Sequence, residues 1–267
     1  HRLIRRQRQM CIRDRIPQLI APQPSTLEQI VSLFIEHNYQ EADINLGCPF
    51  PMLAKRHNGA GMLPYPEEIK ELLTAATEKY PQIRFSVKLR LGWENANECL
   101  ALLPLLNTLP LSHIILHPRL GKQQYKGEVD LNGFEAFYHG CDKPLLYNGD
   151  LHTIEDIQTV TERFPRLAGV VIGRGLLANP ALAWEYQQNR KLSPDEMLSK
   201  VKQLHTAIYN SYEEQLQGGE TQLLMKMKNF WEYLLPNGNR KAKKTIHKTS
   251  KLTNYRIAVN DLLSSYQ

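Results

Sequence analysis

The stretch Asp43-Ile44-Asn45-Leu46-Gly47-Cys48-Pro49 decides the fold, because an apolar strand pattern stops there and a loop bounded by glycine and proline begins. A lone cysteine stands at that junction. Four later apolar segments also end in polar residues: Val87-Lys88-Leu89-Arg90, Leu116-His117-Pro118-Arg119, Tyr147-Asn148-Gly149-Asp150 and Ile172-Gly173-Arg174-Gly175. In a barrel of alternating strands and helices, catalytic groups gather at such strand ends. The pattern therefore predicts a parallel α/β fold with a functional site along one edge.

Short aliphatic runs alternate with helical patterns over residues 16–185, which favours a partial (β/α)8 TIM barrel. The predicted strands are 17–21, 41–46, 84–89, 112–117, 143–148 and 168–172. The predicted helices between them are 25–37, 67–79, 95–107 and 153–163. A complete barrel needs eight strands. Either the sheet is open, or the first two βα units are missing from this chain.

The rest of the chain divides into two further segments. Residues 186–267 show helical periodicity, in 194–217, 220–235, 239–249 and 254–265, and predict a C-terminal helical domain. Residues 1–15 carry six arginines and no apolar periodicity. We expect residues 1–15 to be non-native or disordered sequence and leave them out of the fold prediction.

Composition limits the class of protein. The chain has 267 residues, 42% of them hydrophobic, which is enough for one large domain and a smaller one. It contains no apolar run near the roughly 18 residues that span a bilayer. Its four cysteines are widely spaced and form neither a disulfide framework nor a Cys-x-x-Cys metal pair. We therefore expect a soluble, cytoplasmic protein, monomeric, with no membrane partner and no metal site.

Positive charge is concentrated near the C-terminus. The net charge is +6, yet residues 16–185 are acidic overall. Residues 226–256 contain nine Lys and Arg against the single acid Glu232, with aromatic residues interleaved. Such a segment is typical of a nucleic-acid surface, although a solvated helix face can look the same. The candidate RNA-binding residues are Lys241, Lys243, Lys244 and Lys248.

Taken in order, the five strand-end motifs resemble those of the tRNA-dihydrouridine synthases, flavin enzymes that reduce uracil within tRNA. The resemblance covers residue 16 onward and begins at what is normally the third strand, which favours loss of the first two βα units. It implies FMN as cofactor, NADPH or NADH as reductant and tRNA as substrate. It also implies that Cys48 donates a proton to C5 while the flavin delivers hydride to C6. Asn45, in the same motif, would orient the uracil, although an asparagine at a strand end often satisfies a turn.

Cofactor-binding residues follow from the same motifs. An unpaired ammonium in an apolar strand is costly, so Lys88 needs an anionic partner. The resemblance implies that Lys88, His117 and Gln18 contact the flavin ring. Arg90, on the same strand face as Lys88, could reach flavin or substrate. The expected phosphate-binding residues are Asn148, Gly149, Asp150, Gly173 and Arg174, because glycine-rich strand ends bind phosphate in such barrels.

Two alternatives stay open. A flavin oxidoreductase acting on a free pyrimidine would share the barrel motifs, but it would not need the basic helical segment. A truncated, inactive relic could bind RNA through that segment without holding flavin.

Overall fold

The computed structural model describes residues 15–266 and shows one six-stranded parallel sheet. The strands are β1 (Gln18–Leu19), β2 (Glu41–Leu46), β3 (Arg84–Gly92), β4 (Ile114–Leu120), β5 (Leu145–Tyr147) and β6 (Gly169–Val170). Each strand pairs with the next strand in the chain, which is the order of a (β/α) barrel. The predicted α/β class and all six predicted strands are confirmed.

The register of the sheet separates two chemically different faces. Asn45 pairs with Lys88, and Arg90 pairs with His117. Because side chains alternate along a strand, these four residues share one face. The opposite face is formed by buried apolar residues, among them Leu19, Ile44, Leu46, Phe85, Val87, Leu89, Ile114, Leu116 and Tyr147. The helices between the strands cover this apolar face, so the polar face carries the candidate chemistry.

The described residues have six α-helices between the strands; the four that the sequence predicted lie close to their predicted bounds, and the short helix after β2 was not predicted. The six are α1 (Pro24–Glu36), α2 (Pro51–Ala54), α3 (Pro66–Lys79), α4 (Asn97–Thr108), α5 (Leu131–Gly140) and α6 (Ile154–Arg163). The sequence did not predict α5, because Gly133 in its first turn lowers helix propensity. Its buried residues Phe134, Phe137 and Tyr138 nevertheless follow helical spacing, and the Asp130 carboxylate caps it by accepting from the Gly133 N–H at 2.9 Å.

The described residues form two compact units. The sheet unit extends to Gly149 and includes Thr159–Val171, whereas the helical unit comprises Asp150–Gln158 and the chain from Ile172. The helical unit therefore begins earlier in the chain than the predicted boundary at residue 186. Its helices are α7 (Arg174–Ala178), α8 (Leu182–Gln188), α9 (Pro194–Gln215), α10 (Gly219–Phe230), α11 (Arg240–Lys248) and α12 (Leu252–Ser264). The last four match the four helices predicted there.

Residues 1–14 lie outside the described residues, and with them nearly all of the segment expected to be non-native or disordered. None of the helices in residues 15–266 is long and apolar enough to cross a membrane.

A polar triad lies within the core of the helical unit. Trp231 is fully buried, and its indole N–H donates to the Tyr255 hydroxyl oxygen at 2.8 Å. The Tyr255 oxygen also lies 2.8 Å from Nε2 of His205. The indole N–H uses one lone pair of the hydroxyl oxygen, so the hydroxyl proton finds an acceptor in the triad only if this ring nitrogen is unprotonated. The triad satisfies three polar groups inside an apolar core only while His205 is neutral.

We predict that this triad makes the helical unit sensitive to acid. Burial lowers the pKa of His205 to about 4, from the ordinary value of 6.5. The unfolded chain therefore binds the proton first, and stability should fall as the pH drops from about 6.5 towards 4. His205→Gln retains an acceptor for Tyr255 but cannot titrate. Urea denaturation across this pH range should show a shallower loss of stability for the variant than for the parent.

The control is His247→Gln, which changes an exposed histidine of α11. Its stability should follow that of the parent at every pH. If the His205→Gln and parent curves were parallel, the assignment of the acid sensitivity to His205 would be wrong.

Candidate active site

Cys48 lies just beyond β2 in a tightly constrained loop. Its carbonyl oxygen accepts from the Ala60 N–H at 3.0 Å, which ties it to a 3₁₀ turn at Gly59–Met62. Gly59 has a φ of +57°, and a Cβ there would lie 2.8 Å from the Cys48 Cβ. Only glycine fits this close approach. The thiol is half-buried, so it is both held in place and accessible.

Asn45 holds the backbone of the cysteine loop. Its Oδ1 accepts from the N–H groups of Gly47 and Cys48, at 2.8 and 2.9 Å. Its Nδ2 donates to Oε1 of Gln18 at 2.7 Å. The turn-forming role considered for this residue is thus observed, while its predicted contact with the uracil stays a prediction.

Gln18 and Asp43 continue this set of hydrogen bonds. The Gln18 Nε2 donates to Oδ2 of Asp43 at 2.6 Å, and the Ser86 hydroxyl donates to Oδ1 at 2.8 Å. Gln18 is exposed, whereas Asp43 is only 5% exposed. Sequence reasoning missed Asp43, although an acid two residues before Asn45 in an apolar strand was a usable signal.

Lys88 has an ammonium group that is available to a ligand. Within residues 15–266 its ammonium makes no hydrogen bond or ion pair. Burial and, to a smaller extent, the neighbouring Arg90 lower its pKa, Asp43 and Cys48 act in the opposite direction, and the resulting pKa is about 8. A half-buried ammonium of this kind is stabilised by an anionic or electron-rich group. Its position therefore fits the predicted contact with a flavin pyrimidine edge.

Arg90 is located differently from what the strand pattern suggested. Its side chain is 1% exposed, and burial lowers the pKa of the guanidinium to about 10. Nε donates to the Gly47 carbonyl at 3.0 Å, and Nη1 donates to the carbonyls of Leu120 and Gln124 at 2.9 and 2.6 Å. These contacts favour a structural role, in which Arg90 joins the cysteine loop to the loop after β4. Its predicted substrate contact gains no support.

His117 is buried beside a second buried arginine. Its Nε2 lies 3.2 Å from Nη1 of Arg119, and Nη2 of Arg119 donates to the Gly127 carbonyl at 2.6 Å. The ring of Tyr125 lies 6.4 Å from His117 and 5.3 Å from the Arg90 guanidinium. Arg119 and Tyr125 were visible in the motifs, but sequence reasoning gave them no role. The burial of Arg119 and the ring contacts of Tyr125 become evident only in the fold.

Three of the five predicted phosphate-binding residues already make polar side-chain contacts within the protein. Nδ2 of Asn148 donates to the Val171 carbonyl at 2.7 Å, which links the ends of β5 and β6 in the sheet unit. In the helical unit, Nη2 of Arg174 lies 3.0 Å from Oδ1 of Asp150. The backbone of Asp150 has a left-handed φ of +44°. A bound phosphate would have to share Arg174 with this carboxylate. The role of these residues stays a prediction.

Gly173 and Gly175, which follow β6, differ in whether a larger residue would fit in their place. A Cβ on Gly173 would meet no other heavy atom within 4 Å, whereas one on Gly175 would lie 2.0 Å from the Leu151 carbonyl oxygen. The steric need for glycine is therefore at Gly175, one of the two glycines of the motif. Gly173 and Gly149 remain candidates for approach of a phosphate to the backbone.

The basic segment forms a one-sided helix, α11. Lys241, Lys244 and Lys248 are exposed on it, whereas Ala242 and Ile246 are buried. Lys243 differs from the other candidates, because its ammonium donates to the Leu234 carbonyl at 2.6 Å and burial lowers its pKa. Three of the four predicted lysines are thus free to meet a polyanion, and the fourth supports the fold.

Comparison with known proteins places these features in context. The family model described as dihydrouridine synthase (Dus) matches residues 2–267. The tRNA-dihydrouridine synthase B of Vibrio cholerae is 27% identical over 207 residues, covering 74% of this chain and 64% of the relative. The tRNA-dihydrouridine(16) synthase of Haemophilus ducreyi is 29% identical over 184 residues, covering 68% and 56%. This chain therefore spans about three-fifths of the length of these curated relatives.

Among solved structures, morphinone reductase superimposes on 61% of this chain and 48% of its own length, with a TM-score of 0.43 and 16% identity.

We predict that Arg90→Lys destabilises the protein by about 2 kcal/mol, because a lysine cannot donate to three separate carbonyls from this position. Equilibrium urea denaturation gives the measurement. The control is Arg84→Lys, which changes an exposed arginine paired with Glu41 and should cost at most about 0.5 kcal/mol. Equal stability of the Arg90→Lys variant and the parent would contradict the structural role.

Proposed function

This chain belongs to the dihydrouridine synthase family, and on that premise we propose that it contributes the catalytic residues of an FMN-dependent tRNA-dihydrouridine synthase. The reaction reduces the C5=C6 bond of a uridine in tRNA, with NADPH or NADH as the source of electrons. One observation carries the proposal. A half-buried cysteine is held just beyond β2, and a half-buried lysine that makes no hydrogen bond or ion pair among the described residues lies on the adjacent strand β3.

The residues present fit a flavin. Lys88 offers a positive charge that no described residue neutralises by an ion pair, and Gln18, two strands away on the same face of the sheet, offers an exposed amide. When bound, the flavin supplies the hydride for C6 of the uracil. We assign its pyrimidine edge to Lys88, Gln18 and His117. The prediction that Asn148, Gly149, Asp150, Gly173 and Arg174 bind its phosphate remains part of this proposal.

Cys48 supplies the proton that completes the reduction. The S–H bond breaks as the proton is transferred to C5, and the sulfur is left as a thiolate. Asn45 and the 3₁₀ turn at Gly59–Met62 keep the backbone of the cysteine fixed during the transfer.

The helical unit provides the surface for the RNA. Lys241, Lys244 and Lys248 occupy positions i, i+3 and i+7, which lie on one side of a helix. Their ammonium groups suit the phosphates of a tRNA backbone, which need charge but no fixed geometry. Lys243 is the least suited of the four, since its ammonium is occupied by the Leu234 carbonyl.

We predict that Cys48→Ala binds FMN as the parent does but reduces uridine in tRNA about 10²–10⁴ times more slowly, because only the proton donor is lost. Flavin binding is read from the visible absorption spectrum, and the reaction from single-turnover formation of dihydrouridine. The matched control is Cys141→Ala, which removes a buried thiol located before β5, at the amino end of the strands. A Cys48→Ala rate within threefold of the parent would exclude Cys48 as the proton donor.

We predict that replacing Lys241, Lys244 and Lys248 together by glutamine raises the KM for tRNA and leaves FMN binding unchanged. Each lost phosphate contact should also flatten the salt dependence of tRNA affinity by a slope of about 0.7–0.9. Lys243→Gln alone should change stability more than tRNA affinity.

The control removes the same number of positive charges from the sheet unit, at Lys70, Lys79 and Lys122, each of which lies near a carboxylate. Titrations of tRNA at several salt concentrations compare the two triple variants. If both gave the same salt slope, α11 would be an ordinary solvated helix face.

A further inference from the structure

Three side chains of β1 and β2 form a continuous hydrogen-bonded row, which we call the amide row: Asp43, Gln18 and Asn45. Asp43 accepts from Nε2 of Gln18 at 2.6 Å, and Oε1 of Gln18 accepts from Nδ2 of Asn45 at 2.7 Å. The row ends where Oδ1 of Asn45 accepts from the N–H groups of Gly47 and Cys48. It therefore connects a buried carboxylate to the backbone of the proposed proton donor.

Both ends of the row impose the same orientation on the two amides. An ionised carboxylate can only accept, so Asp43 requires the NH₂ group of Gln18 to face it. The backbone N–H groups can only donate, so they require the oxygen of Asn45 to face them. If Gln18 were reversed, its oxygen would face the Asp43 oxygen and its NH₂ group would face the NH₂ group of Asn45. Neither amide can flip without losing bonds at two places.

Protonation of Asp43 does not disturb this order. Burial raises the pKa of its carboxyl group, while hydrogen bonds from Gln18 and Ser86 lower it to a smaller extent. A proton bound at Oδ1 would face the Ser86 hydroxyl, whose oxygen can accept it. Oδ2 would still accept from Gln18.

The fixed orientation determines what the row can offer a ligand. Gln18 retains one N–H on Nε2 and one lone pair on Oε1, and Asn45 retains one N–H on Nδ2. In order along the row these are a donor, an acceptor and a donor. The contact between Gln18 and Asn45 is exposed, so these groups are accessible.

The proposed function already has Gln18 at the pyrimidine edge of the flavin; we propose that Asp43 is the positioning residue that fixes the donor–acceptor–donor order of the amide row and so makes the row select a cyclic imide, the group O=C–NH–C=O. An imide presents acceptor, donor and acceptor, so all three positions match. The proposal rests on the proposed function, because the two imides of that reaction are the pyrimidine edge of the flavin and the uracil ring.

The same order rejects related rings. A cytosine edge presents donor, acceptor and acceptor, and two of its three groups would face like groups on the row. A ring methylated at the imide nitrogen loses the central donor and leaves the Gln18 oxygen unmatched. Unpaired polar groups of this kind discriminate strongly between ligands.

The test compares riboflavin with 3-methylriboflavin, by quenching of flavin fluorescence, in the full chain. Riboflavin has no phosphate, so the phosphate-binding residues do not contribute. The parent should bind riboflavin at least tenfold more tightly than its 3-methyl derivative. Asp43→Ala should reduce this ratio to less than threefold, because Gln18 is no longer held. Asp43→Asn should keep it, since its oxygen can accept from Gln18 while its NH₂ group faces the Ser86 hydroxyl.

A second variant guards against misfolding. Gln18→Met changes an exposed side chain of similar length, so folding should be preserved, and it should abolish the discrimination even if Asp43→Ala does not fold. If Gln18→Met still bound riboflavin more than tenfold more tightly than 3-methylriboflavin, the methyl group would be excluded by shape alone. That result would overturn the proposal.

A second arm identifies which imide is bound. Uridine and 3-methyluridine are titrated against protein saturated with FMN. If riboflavin binds more tightly than 3-methylriboflavin, the row binds the cofactor. If uridine binds more tightly than 3-methyluridine, the row binds the substrate. A parent protein that discriminates in neither arm overturns the imide proposal. If such a protein still binds FMN and reduces tRNA, the proposed function stands; if it binds no FMN, both fail.

Discussion

The alternation of side chains along in-register parallel strands is the constraint on which the rest of this molecule depends. It places apolar residues such as Ile44, Val87 and Leu116 on the face that the helices bury. It places Asn45, Lys88 and His117 on the other face, at neighbouring positions. A slip of one residue would exchange the two faces and bury the charges among the helices. The hydrophobic requirement of the helix-covered face therefore also fixes the chemistry of the polar face.

The positively charged residues of the polar face have two different roles, one structural and one in ligand binding. Arg90 and Arg119 are buried, and backbone carbonyls of the loops after β2 and β4 accept from them. Such carbonyls satisfy a guanidinium without neutralising it, which keeps the region positive. Lys88, which is more exposed to solvent and has no such partners among the described residues, stays available to a ligand. The two arginines thus order the loops, and the lysine beside them retains the binding capacity.

Much of the fold could be predicted because its signals are local. Strand β2 was predicted at its observed bounds, and α9 to α12 were found from helical periodicity with small errors at their ends. The site was predicted only in part. Cys48 and Lys88 were found because a thiol or an ammonium at the end of an apolar strand is conspicuous in any sequence. Helix α5 was missed because Gly133 weakens its local signal, although packing of Phe134 and Phe137 stabilises it.

The sequence by itself determined the order of strands and helices, the polar residues at the strand ends and the one-sided basic helix, since each depends on residues close together in the chain. Only the tertiary structure decided which polar groups satisfy one another. Asn45 is 27 residues from Gln18, Arg90 is 43 residues from Gly47, and His205 is 50 residues from Tyr255. Those pairings depend on strand register and helix packing. A hydrogen bond is directional and short, so residue type alone cannot reveal whether an arginine binds a loop of the protein or a ligand.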